Sequence, residues 1–83
     1  MKLLYFAWLK SLTGTAAEEV SPPEDVSDVR GLIAWQQSRG PGFAEAFADV
    51  SAIRIAVNQD YAKPGDPVGP GDEVAFFPPV TGG

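Results

Sequence analysis

The residues of this chain best suited to chemistry are its last eight, Phe76-Phe77-Pro78-Pro79-Val80-Thr81-Gly82-Gly83. An apolar run passes straight into two prolines, which hold the backbone extended and cannot pair with a neighbouring strand. Residues 78–83 are therefore expected to project from the body as a C-terminal tail. Gly82 and Gly83 carry no Cβ, so the carbonyl carbon of Gly83 can be approached inside a narrow tunnel that a larger residue would block. With glycine at about 7% of residues, roughly 0.5% of chains would end in Gly-Gly by chance, and the Pro-Pro spacing makes chance a poor account. A carboxylate is a weak electrophile because its charge repels nucleophiles and oxide leaves badly. A partner enzyme using ATP can convert it to an acyl-adenylate, and a sulfur donor can then displace the nucleotide to leave a thiocarboxylate, a soft nucleophile on a flexible arm. The sulfur has to come from outside, since the chain holds no Cys.

Other residues that could do chemistry fare worse. The chain has neither Cys nor His, which removes disulfides, thiolates and Ser-His or Cys-His arrangements, and makes a transition-metal site improbable. No bound cofactor is expected. Glu18-Glu19 and Glu24-Asp25 are paired carboxylates beside turn-forming residues, and a solvated surface is the ordinary reading for both. The glycine-rich stretch Gly65 to Gly71 lacks the Lys-Ser or Lys-Thr of a phosphate loop and precedes a strand, so it reads as turns. Trp8 and Trp35 read as core or interface residues.

The net charge is −5, and the six Lys and Arg are scattered rather than clustered. A phosphate-tracking surface needs a basic stripe, so nucleic acid is a poor partner. The run Leu3 to Leu9 after Lys2 resembles the start of a signal peptide, but Lys10 follows at once and no small-residue cleavage motif is evident. No stretch is long enough to span a bilayer. The expectation is a cytoplasmic protein.

Eighty-three residues, 45% of them apolar, suffice for one modest core, so 1–83 is expected to form a single domain. Residues 2–8 read as a central strand with both faces apolar, Leu4, Phe6 and Trp8 on one and Leu3, Tyr5 and Ala7 on the other. A helical turn over Leu9 to Thr13 stops at Gly14, and a more polar strand over Ala16 to Val20 ends at Pro22-Pro23. Ser27 is the expected N-cap of the main helix, with Val29, Leu32, Ile33 and Gln36 at helical spacing and Arg39-Gly40 ending it. Pro41-Gly42 is expected to break the chain before a short helix over Phe43 to Phe47. Ile53, Ile55 and Val57 alternate as a half-buried strand, Asn58-Gln59-Asp60 turns the chain, and Tyr61-Ala62 begins a return. Turns then fill 63–73, with Pro70-Gly71 suited to type II, before a last strand over Val74 to Phe77. Two strands, a crossover helix and further strands predict an α+β fold of the β-grasp, or ubiquitin-like, kind: a mixed sheet with one main helix packed on one face.

With these elements in place, Asp72-Glu-Val-Ala-Phe-Phe-Pro-Pro-Val-Thr-Gly-Gly83 resembles the C-terminal signature of the small, sulfur-carrying subunit of molybdopterin synthase. The opening Leu3 to Thr15 resembles that family's first strand and short helix, and Ala56 to Tyr61 its Ala-Val-Asn-Gln turn, so the resemblance runs the length of the chain. It implies that Gly83 carries the adenylate and then the thiocarboxylate, and that Gly82, Thr81, Val80, Pro79 and Pro78 thread into the active site of a larger catalytic subunit. In that heterotetramer two carriers would in turn sulfurate cyclic pyranopterin monophosphate during molybdenum cofactor biosynthesis. A ubiquitin-activating-like adenylyltransferase using ATP, with a sulfur donor protein, would recharge the tail. An apolar docking patch would map to Phe6, Tyr61 and Phe77, with Tyr61 standing where an aliphatic residue is usual. The chain would thus be a non-catalytic subunit of a sulfurtransferase. Three rivals stand beside this reading: a carrier for thiamine or cysteine synthesis, a ubiquitin-like modifier joined to substrate lysines, and a plain interaction module with an inert tail.

Overall fold

In the computed structural model, which describes residues 1–79, the period-two alternation of the apolar strands decides which side of the sheet is covered. β1 (Lys2–Tyr5) and β5 (Glu73–Phe77) turn Leu3, Tyr5, Val74 and Phe76 inward, each at most 1% exposed. β2 (Ala17–Glu19), β3 (Arg54–Val57) and β4 (Asp60–Tyr61) complete a five-stranded sheet of order β2-β1-β5-β3-β4. β1 and β5 run parallel, and the other three pairings are antiparallel. This mixed sheet, with helices over its inner face, is the expected β-grasp architecture.

β1 is shorter than the apolar run suggests. It ends at Tyr5 because Ala7 takes φ 55°, ψ −132° and swings the chain into α1 (Trp8–Thr13). Phe6 and Trp8 are thereby left 49% and 38% exposed instead of extending a two-sided strand. α1 stops as expected at Gly14, whose φ of 80° favours a residue without Cβ.

α2 (Val29–Gln37) buries Val29, Leu32, Ile33 and Gln36, the four positions predicted from the spacing. Its N-cap is Asp28 and not Ser27. The Asp28 carboxylate accepts from the Gly31 amide at 2.7 Å, a bond that needs the cap three residues before its donor. The amides of Val29 and Arg30 donate to the carbonyls of Asp66 and Pro64, so the turn-rich 63–73 segment finishes the cap and is itself held in place.

Pro41 and Gly42 start α3 (Pro41–Ala46) rather than breaking the chain. Proline suits the first helical position, where its missing N–H is not needed. Gly42 is there for contact: a Cβ would collide with the Leu12 carbonyl oxygen of α1. A 3₁₀ turn over Val50–Ala52, absent from the sequence reading, leads into β3. Asn58 and Gln59, at φ 50° and 71°, form the two-residue turn into β4. The Asn58 side chain bridges to β5, accepting from the Glu73 amide and donating to Asp72, both at 3.0 Å. Inside, Tyr5 stacks on Phe76 with ring centroids 5.6 Å apart, and Phe47 meets Phe76 edge-on at 5.0 Å.

Candidate functional site

The strand that leads to the tail is the best anchored in the molecule. β5 lies between β1 and β3, with Phe76 paired to Tyr5 on one side and Ile55 on the other. Phe6, one residue beyond β1, still donates its amide to the Phe76 carbonyl at 3.1 Å. Backbone bonds on both flanks, together with a fully buried Phe76, fix where β5 ends and where Pro78 and Pro79, both half-buried, begin. Val80, Thr81, Gly82 and Gly83 lie outside the described residues.

The alternation that buries Tyr5 and Phe76 turns Leu4, Ala75 and Phe77 to the other face, together with Ala56 and its partner Tyr61. Phe6, 49% exposed, lies beside Phe77 by continuation of the β1–β5 register. Tyr61, 74% exposed, has its ring 6.0 Å from that of Phe77. Small alanines in the middle strands leave the aromatic rings standing above a shallow apolar floor. Phe6, Tyr61 and Phe77, which the resemblance groups as one docking patch, therefore share one face, and it is the face beside the end of β5. An exposed apolar surface of this kind marks a protein contact more often than a small-molecule site.

On the inner face the structure corrects one expectation. Glu19 is solvated, its side chain 78% exposed, but Glu18 is not surface. Arg39 grips it with both guanidinium nitrogens, at 2.7 and 2.9 Å, and the Tyr5 hydroxyl donates to it at 2.6 Å. Gln36, completely buried, donates to the Tyr5 oxygen at 2.7 Å and accepts from Arg39 at 2.9 Å. The guanidinium lies over the Phe43 and Trp35 rings, 4.2 and 4.7 Å from their centroids. Arg39 holds the Glu18 carboxyl below the usual carboxylate range, and Glu18 in turn raises Arg39. Burial, reinforced by the hydrogen bond to Glu18, pushes the Tyr5 hydroxyl far up, so it stays protonated. All four polar groups are committed to one another, so the cluster ties β1 and β2 to α2 and its following turn and offers no free acid or base. The one sequence signal for it was Gln36, a polar residue at a helical position otherwise reserved for apolar ones.

Glu24 and Asp25 are exposed, and the stretch from Gly65 to Gly71 forms turns, with Gly71 at φ 89° as type II requires. Trp35 is half-buried against the core. Among the described residues no cluster of acidic residues is arranged to hold a metal ion, and no helix is long and apolar enough to cross a membrane.

Comparison with known proteins agrees with this geometry. The model of the ThiS family matches residues 3–83. The molybdopterin synthase sulfur carrier subunit of Escherichia coli K12 is 41% identical over 83 residues, covering 100% of this chain and 99% of that protein. The human protein of the same name is 35% identical over 88 residues, covering 100% and 93%. A solved structure from Pyrococcus furiosus described as molybdopterin converting factor, subunit 1, superimposes with a TM-score of 0.77 at 34% identity, covering 95% of each chain.

Proposed function

This chain belongs to the ThiS family, and from that premise we infer that it serves as the sulfur carrier subunit of molybdopterin synthase. The observation that carries this is the end-to-end likeness to sulfur carrier subunits of that enzyme, at up to 41% identity. The match takes in the tail as well as the folded body.

The working group is the carboxyl of Gly83. One of its oxygens attacks the α-phosphorus of ATP in an activating enzyme, pyrophosphate leaves, and an acyl-adenylate forms. Sulfur released by a donor protein as hydrosulfide then attacks the acyl carbon, AMP departs with the oxygen, a proton is lost, and the carrier is left as a thiocarboxylate. In the synthase, that sulfur attacks an electrophilic carbon of cyclic pyranopterin monophosphate as a C–O bond at that carbon breaks and its oxygen takes up a proton; water then cleaves the resulting thioester, leaving the sulfur on the substrate as a thiolate and returning the Gly83 carboxylate. The acid and base groups for these steps are assigned to the partners: the chain holds no Cys or His, and among the described residues the Tyr5-Glu18-Arg39 cluster is committed to structure. This chain contributes placement. β5 fixes the origin of the tail, Pro78 and Pro79 keep it extended, and Gly82 and Gly83 let reactants close on the carbonyl carbon. Phe6, Tyr61 and Phe77 form the apolar surface on which the large catalytic subunit seats. The reaction takes place in the cytoplasm, where ATP and the activating enzyme meet the carrier.

Intact mass spectrometry tests the assignment. Incubated with an activating enzyme of this pathway, ATP and a sulfur source, the chain is expected to gain about 16 Da, sulfur replacing oxygen. It is then expected to lose that mass when the large subunit and cyclic pyranopterin monophosphate are supplied. Retention of the original mass in the first incubation would refute the carrier role.

A further inference from the structure

The side of α2 facing β3 and β4 borders a groove that sulfur carriage leaves unused. It consists of two adjoining hollows of about 310 and 270 Å³ that share Ile33, Val50 and Pro64. Its floor is aliphatic, with Ile33, Ile53 and Ile55 between 5% and 7% exposed, while Val50 stands on the lip at 38%. Its rim is cationic: Arg30, Arg54 and Lys63 line it, and no Asp or Glu does. In a chain with eleven acidic residues and only six Lys and Arg, half of the cations thus surround one apolar hollow. Among the described residues none of the three has a carboxylate partner within ion-pair distance, the two pairs present being Met1–Glu19 and Arg39–Glu18. The Arg54 guanidinium reaches only the carbonyls of Ser51 and Ile53, at 3.4 Å.

Three like charges around an apolar floor favour an occupant that is both anionic and apolar. Inorganic anions would leave the floor uncovered, and a purely apolar segment would leave the cations unmatched. The groove also borders the end of β5: Arg54 is the cross-strand partner of Phe77, and Tyr61 lies on its border. We propose that this groove docks an acidic segment of a partner protein, with aliphatic or aromatic side chains over Ile33 and Val50 and carboxylates facing Arg30, Arg54 and Lys63. A partner that takes the tail would thereby gain a second contact beside it, specific to this carrier.

The proposal is independent of the sulfur chemistry and is tested on the full chain without thiocarboxylate. Isotope-labelled protein is titrated with synthetic peptides in which Asp and Glu flank paired Ile, paired Leu or paired Phe, and backbone amide shifts are followed. Saturable shifts are expected at Ile33, Ala34, Val50 and Lys63 with at least one peptide. Combining Arg30→Glu with Lys63→Glu, both exposed positions, is expected to weaken binding about ten-fold or more, as is raising the salt concentration. Val50→Ser is expected to weaken it with the charges unchanged. Absence of saturable shifts with every peptide would overturn the proposal, as would equal binding by the charge-reversed variant or shifts spread equally to Lys2 and Lys10. Concentration-dependent shifts at the groove without peptide would also overturn it, since a second copy would then be the occupant. Sulfuration measured on the same preparations by intact mass reports separately on the carrier role.

Discussion

Ala7 adopts φ 55°, ψ −132°, a conformation that costs a residue with a Cβ about 1–3 kcal/mol. The strain is tolerated because β1 has to end and α1 has to begin within two residues, which also leaves Phe6 and Trp8 at the surface. Ala7→Gly removes the steric cost while adding unfolded-state entropy, so a net gain of about 1 kcal/mol is expected as a higher midpoint in urea unfolding. Glu18 makes a second prediction. Its folded carboxyl titrates below the usual range, chiefly because Arg39 donates to it. The associated stability is therefore fully present above the ordinary carboxylate pKa and is lost as pH falls through the depressed folded value. Glu18→Gln is expected to lower stability at neutral pH and to flatten the acid limb of a stability-versus-pH curve, measured by denaturant melts between about pH 2 and 7.

Among the elements, α3 sits against α1 so closely that Gly42 has no room for a side chain. Gly42→Ala is expected to cost about 1–3 kcal/mol, as overpacking does, although alanine is the better helix former and an isolated helix would gain from the change. The sign of that result, read in a thermal melt, separates contact from propensity. At the N-terminus of α2, Asp28→Ala removes the acceptor for the Gly31 amide, with an expected loss of about 1 kcal/mol. Ser27→Ala should be close to neutral, because Ser27 lies outside the cap.

For the whole molecule, placement of the aromatic face beside the end of β5 would, under the proposed function, couple docking to delivery. Phe6→Ala removes a ring that is 49% exposed. It is expected to weaken capture of the large synthase subunit about ten-fold, roughly 1.4 kcal/mol, while leaving the melting temperature nearly unchanged. Adding one residue after Gly83 makes the complementary case: the fold and the docking should persist, and the gain in mass on sulfuration should disappear.

The β-grasp order, the α2 face and a turn beginning at Asn58 were legible in the sequence because each rests on local periodicity or turn chemistry, although the turn is Asn58-Gln59 alone and Asp60 already belongs to β4. Val29, Leu32, Ile33 and Gln36 are spaced for one helical face whatever they pack against, and Ile53, Ile55 and Val57 for one side of a strand. The resemblance carried by residues 72–83 likewise needs no coordinates. Other features depended on which segments meet. Arg39 and Glu18 are far apart in the chain, and nothing local distinguishes Glu18 from its solvated neighbour Glu19 until β2 pairs with β1 and turns one of them inward. Pro41-Gly42 reads as a break until α1 arrives to need a glycine there, and the cationic groove exists only because α2, β3 and the segment after β4 bring Arg30, Arg54 and Lys63 together. Periodicity is a property of neighbours along the backbone, whereas charge pairing and close approach belong to neighbours in space, and those the tertiary fold alone decided.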